Sequence, residues 1–129
     1  MKLLLDTHAF LWWDSNDALL PAALHAAITS PRNHVFVSAV TVWEIAIKRA
    51  LGKLIIGRGL GKAIEDHGFK ALPITVEQAE WAGSIPQLHR DPFDRLLVAQ
   101  AQLEGLVLVT VDDQILKYAV PHLQSQPSE

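Results

Sequence analysis

Three leucines in a row at positions 3–5, stopped by Asp6 and Thr7, constrain this chain more than any other stretch. A run without alternation is buried on both faces, as strands are in the middle of a parallel sheet. Such a strand needs cover above and below, which the following residues must supply. Aspartate and threonine extend a strand poorly. In open parallel sheets, ligands bind just beyond the carboxyl ends of the strands. Asp6 is therefore either a helix cap or part of a site.

The remaining chain repeats the theme. His8 to Trp13 predict a helical turn packed on the sheet, and Pro21 suits the first position of a helix with a Leu24, Ala27, Ile28 stripe. Val35-Phe36-Val37 reads as a second buried strand ending at Ser38, followed by a helix over Thr41 to Leu51 that Gly52 closes. A helix around Lys62 to His67 leads to Ala71–Ile74, an edge strand because Pro73 cannot donate to a ladder. Thr75 caps a helix from Val76 to about Gly83. Asp91 caps a second helix, with Pro92 in its first position and Gly105 at its end. Leu106–Val109 is another buried strand, a last helix spans Gln114 to Ala119, and Val120–Leu123 adds a short strand. This alternation predicts an α/β fold, a three-layer α/β/α sandwich around a mostly parallel central sheet. No repeat or linker divides it, so residues 1–123 are expected to form one domain, followed by a polar tail at 124–129.

Composition narrows the setting. Half of the residues are hydrophobic and 19% are charged, which excludes a disordered chain. No apolar run reaches the ~20 residues of a bilayer span, and the amino terminus lacks a signal-peptide pattern. Without cysteine there is no disulfide scaffold and no thiolate zinc site. A cytoplasmic protein without a membrane partner is the expectation. The net charge of −3 gives no global case for nucleic acid. A local basic cluster, Lys48, Arg49, Lys53, Arg58 and Lys62, reads either as a binding patch or as a solvated helix face.

Four acids stand out by position. Asp6 and Asp112 follow strands, Glu44 lies in the helix leaving the second strand, and Asp94 lies in the first turn of the helix feeding a late strand. Singly, each has an ordinary explanation as a cap or a first-turn charge. Thr41-Val42-Trp43-Glu44 even fits a capping box. Yet Glu44 sits among apolar neighbours, where a charge is costly unless paired or metal-bound. Right-handed crossovers put strand ends and the helices that follow on one sheet edge. Carboxylates gathered there repel unless a cation resolves them. All-oxygen ligation selects a hard ion, Mg²⁺ or Mn²⁺. The six histidines are scattered, without a paired zinc spacing.

At this point the sequence resembles a known family, the PIN-domain ribonucleases, and in particular the VapC toxins of bacterial toxin–antitoxin pairs. The resemblance covers almost the whole chain. It is carried by L-L-L-D-T-H-A-F-L-W-W from Leu3, S-A-V-T-V-W-E-I-A-I-K from Ser38 and L-G-K-L from Leu51, then by D-P-F-D-R-L-L-V-A-Q-A from Asp91 and V-T-V-D-D from Val109. It implies a metal-dependent endoribonuclease whose catalytic and metal-holding acids are Asp6, Glu44, Asp94 and Asp112. Asp91 belongs to the loop and Asp113 is a neighbour. Thr7 and Thr110 either orient metal-bound waters or cap, and Arg95 either contacts phosphate or forms a surface ion pair. The resemblance further implies an RNA substrate, a cognate antitoxin and a homodimer. Trp12, Trp13, Trp43 and Trp81 point the same way, since they exceed what one small core needs.

Two rivals remain. A phosphoaspartyl domain built on Asp6, receiver or phosphatase-like, would want D-x-D or a second acid beside Asp6 and a late lysine, and the sequence shows neither. A catalytically silent interaction module would have lost acids from this set, whereas all four are present.

Overall fold

The leucine run takes the position its burial demands. In a computed structural model, which describes residues 1–52 and 59–123, β1 (Lys2–Leu5) is the central strand of five. It lies between β2 (His34–Ser38) and β4 (Val107–Val109), with β3 (Lys70–Leu72) and β5 (His122–Leu123) at the edges. Every pairing is parallel, so all carboxyl ends share one edge of the sheet. Leu3, Leu4 and Leu5 are each 0% exposed, which confirms cover on both faces.

The pleat sends Leu3 and Leu5 to one face and Leu4 to the other. The first face is covered by α1 (Thr7–Asp14), α2 (Ala22–Thr29) and α4 (Leu60–Asp66), through Phe10, Leu24, Ile28, Ala63 and Ile64. Ile45 of α3 (Ala39–Ala50) joins the same core. The second face is covered by α6 (Pro92–Glu104) through Leu97, Val98 and Ala101, with α5 (Val76–Ser84) packed on α6. The result is the three-layer α/β/α sandwich expected from the alternation.

Three local expectations change. Helix α3 starts before Thr41: Ser38 is the N-cap, its hydroxyl accepting from the Val40 N–H at 3.0 Å. Thr41 and Glu44 therefore stand inside the helix, and the Thr41–Glu44 capping box does not form. Among the described residues a capping box forms instead at α5, where Thr75 and Gln78 cap each other reciprocally. Finally, the expected helix over Gln114 to Ala119 is a single 3-10 turn, Ile115–Lys117. The expected tail at 124–129, together with Lys53 and Arg58 of the basic cluster, lies outside the described residues. No described helix is long and apolar enough to cross a membrane.

A buried polar chain ties α3 to α6. The Ser38 hydroxyl donates to Gln100 Oε1 at 2.6 Å, and Gln100 Nε2 donates to Gln78 Oε1 at 3.0 Å and to the Pro73 carbonyl at 3.3 Å. Gln78 Nε2 in turn donates to Glu104 Oε1 at 2.8 Å. Gln100 is fully buried, so its replacement strands partners away from water. Gln100→Leu is expected to destabilise the protein by about 2–4 kcal/mol, the scale of one or two buried polar groups left unpaired. The midpoint of urea unfolding measures it.

Candidate active site

Asp6 ends the central strand, its N–H donating to the Val109 carbonyl at 3.1 Å across the β1–β4 pair. Its carboxylate accepts the Ala9 N–H at 2.8 Å and so caps α1. The capping role expected of it is real, but occupies one oxygen only. Burial pushes the Asp6 carboxyl above the usual range, with hydrogen bonds from Thr110 and Ala9 opposing and the Asp112 charge adding to the rise.

Helix α3 leaves β2 at the same edge and presents Glu44 inward. Its side chain is buried, with Oε1 accepting from the Thr7 hydroxyl at 2.7 Å and Oε2 paired to Lys48 Nζ at 3.0 Å. The Thr7 hydroxyl also lies 3.3 Å from that of Thr41. The pairing explains how a carboxylate survives among apolar neighbours.

Because β4 is parallel to the rest, α6 must return from the carboxyl edge to the amino edge, which places its first turn at the site. Asp91 caps it, accepting from Phe93 N–H at 2.9 Å and Asp94 N–H at 3.3 Å. Asp94 is thereby freed from capping, and its Oδ2 meets His89 Nε2 at 2.8 Å. Its carboxyl is pushed up to about 7, first by burial, then by the charge of Asp91, with Asp6 and Glu44 adding to the rise and the His89 hydrogen bond opposing it. Asp112 follows β4 through a turn in which its N–H donates to Thr110 Oγ1 at 3.0 Å. One Asp112 oxygen caps Gln114 N–H at 2.8 Å, and the other lies 4.0 Å from His89 Nε2.

The structure therefore brings all four acids to one edge, where Asp94 feels the charges of Asp6 and Glu44, and Asp6 feels that of Asp112. Among the described residues His89, Asp94 and Asp112 form a group whose ligand atoms all lie within 4.8 Å of one another, and Asp6 and Glu44 are not members of it. Two further expectations resolve. Thr7 and Thr110 act as hydrogen-bond partners of Glu44 and Asp6. Arg95 turns away from surface ion pairing, donating from Nη2 to the Ala82 carbonyl at 2.9 Å and so tying α6 to α5. Sequence reasoning missed His89. It precedes Asp94 by five residues, a spacing that fits no helix face, and only the folding back of the loop before Asp91 brings it in.

The donor set suits a divalent cation. Its carboxylate oxygens match Mg²⁺ or Mn²⁺ chemistry. The upward push on Asp94 comes first from burial and then from neighbouring carboxylates, only partly offset by His89, and a bound cation would relieve it.

A five-stranded parallel sandwich with carboxylates converging on its carboxyl edge defines a recognisable class of α/β domain. The chain belongs to the PIN domain family, whose family model matches residues 3–121. Solved structures agree on the fold. A chain of VapBC2 from Rickettsia felis, solved bound to a DNA fragment from their promoter, superposes with a TM-score of 0.69 at 13% identity, covering 95% of this chain and 98% of that one. A toxin–antitoxin complex from Klebsiella pneumoniae gives 0.66 at 20% identity, covering 96% and 98%. DNA-bound VapBC from Salmonella typhimurium gives 0.65 at 16%, covering 98% and 99%. No curated protein matches.

Proposed function

We propose that this protein is a metal-dependent endoribonuclease and the toxin of a toxin–antitoxin pair, with Asp6, Glu44, Asp94 and Asp112 as its catalytic, metal-holding acids. The observation that carries the reading is the convergence of these acids at one edge of a PIN fold, with Asp94 pushed up to about 7 by burial and like charge. A bound Mg²⁺ or Mn²⁺ supplies an activated water and stabilises charge developing on the scissile phosphate. The chain's own residues set up that chemistry. Thr7 and Lys48 fix the orientation of Glu44, while the Ala9 N–H and Thr110 hold Asp6. The Gln114 N–H leaves Asp112 one oxygen to turn inward. Asp91, by capping α6, keeps Asp94 aimed at the same point. Such pre-set carboxylates need no rearrangement as the phosphate is engaged.

Single replacements test the assignment. Asp6→Asn, Glu44→Gln and Asp112→Asn are each expected to reduce RNA cleavage by roughly a hundredfold or more. Asp113→Asn, at an exposed neighbour, should cleave like wild type. Loss of cleavage in Asp113→Asn, or its retention in the other three, would overturn the set.

The reading includes an antitoxin partner, as in the complexes to which this fold is similar. A helix of that partner is expected to place an arginine or lysine among the acids, where a cationic group substitutes for the ion. Substituting that basic residue should release cleavage from inhibition.

It also includes a homodimer. Trp12 and Trp13 pack against the core, whereas Trp43 is 59% exposed and Trp81 is 44% exposed on the α5–α6 side. The Trp43 ring lies 5.2 Å from that of Phe93, beside an apolar groove lined by Val40, Ala79, Ala82 and Leu96. An exposed tryptophan over such a groove is the anchor expected of an interface. Light scattering should give a dimer at tens of micromolar, and Trp43→Glu a monomer.

A further inference from the structure

His89 stands where neither the acid set nor its capping role accounts for it. It lies in the loop between α5 and α6, half-buried, and its Nε2 faces Asp94 Oδ2 at 2.8 Å and Asp112 Oδ2 at 4.0 Å. An octahedral ion with bonds of roughly 2.1 Å sets adjacent ligand atoms about 3 Å apart and opposite ones about 4.2 Å apart. The two observed separations match an adjacent and an opposite pair.

The loop is built to hold the ring there. The His89 N–H donates at 3.1 Å to the phenol oxygen of Tyr118, which is buried directly after the 3-10 turn that follows Asp112. The segment carrying one acid thus pins the backbone of the histidine, and Asp94 pins its ring. A histidine serving only to satisfy Asp94 would need neither the Tyr118 anchor nor the approach to Asp112.

We propose that His89 is a nitrogen ligand of the divalent ion held by the acids, through Nε2, and that it biases the site toward Mn²⁺ over Mg²⁺. The inference rests on the acids being an ion site. Its chemical basis is that oxygen ligands serve Mg²⁺ and Mn²⁺ alike, whereas an imidazole favours the later, softer metals of the divalent series and contributes little to Mg²⁺. One imidazole among carboxylates therefore separates the two ions, while carboxylates alone do not.

The test uses the full chain with MnCl₂ and MgCl₂ as probes, in wild type, His89→Ala, His89→Gln and Asp94→Asn. Glutamine keeps an amide donor for Asp94 and removes the ring nitrogen, so it separates ligation from hydrogen bonding. Manganese bound to wild type is expected to show ¹⁴N modulation in pulsed EPR, and both His89 variants to lose it. Both should weaken Mn²⁺ binding by at least about tenfold and weaken Mg²⁺ binding by less, as read by competition against Mn²⁺. Modulation that persists in His89→Gln, or affinities for the two ions that fall in step, would overturn the proposal. Binding lost in Asp94→Asn but intact in both His89 variants would sink the histidine ligand alone and leave the nuclease reading standing. A wild-type protein that binds neither ion overturns both.

Discussion

Asp94→Asn is expected to lose RNA cleavage by on the order of a hundred- to a thousandfold, the scale of removing a pre-set electrostatic partner, while the metal-free protein becomes as stable as wild type or more so. These directions follow from what surrounds the residue. Its carboxyl is pushed up by burial and by the charges of Asp91, Asp6 and Glu44. Asparagine removes that conflict and still offers an oxygen to His89. The capping explanation predicts the reverse. If Asp94 served only the helix dipole, the variant would lose up to ~1 kcal/mol and keep its activity. The geometry already weakens that explanation, since Asp91 is the residue that caps α6. Millimolar Mn²⁺ should raise the melting temperature of wild type by mass action, and that of the variant much less. Melts with and without ion, beside one cleavage assay, separate the two accounts. A variant that is less stable yet fully active would refute the site.

The second large effect is on pH. Asp94 has its folded-state pKa raised from 3.8 to about 7. Between those values the native state keeps a proton that the unfolded chain has released, so stability falls as pH rises through this window. Burial moves Asp6 in the same direction. Allowing for solvent screening at a half-buried carboxyl, the loss attributable to Asp94 is on the order of 2 kcal/mol. Divalent ions bind the ionised form, so their affinity should climb over the same window, with proton release, and level off above it. Urea unfolding at pH 5 and pH 8, with chelator and with Mn²⁺, should therefore show opposite trends. Metal-free stability declines with pH, and the increment from Mn²⁺ grows. In Asp94→Asn the decline should shrink. A metal-free protein that gains stability between these pH values would contradict the crowding of acids.

Much of this fold was legible because its signals are local. The Leu3–Leu5 run declares a strand covered on both faces. Asp91-Pro92 and Gly105 mark the ends of α6, where the structure puts a cap, a first-turn proline and a left-handed glycine at φ 66. The start of α3 was obscured because Ser38 serves as both the last strand residue and the cap. The Thr41–Glu44 pattern mimics a capping box one turn too late. Its true significance is tertiary: Glu44 finds Thr7, thirty-seven residues away. That the four acids share one edge was readable because topology delivers strand ends and helix starts there. His89 was not, because a loop places it and no periodicity announces a loop. Similarly, the weight of Asp94 depends on Asp91 taking over the capping, which spacing alone does not decide.

The most direct measurement of the central claim is RNA cleavage by purified protein stripped of metal and then resupplied. The account predicts no cleavage in chelator, with activity returning on addition of Mn²⁺ or Mg²⁺ to wild type but not to Asp94→Asn. Cleavage that proceeds undiminished in chelator would contradict it, as would a folded, ion-supplied protein that cuts no RNA while still holding its partner.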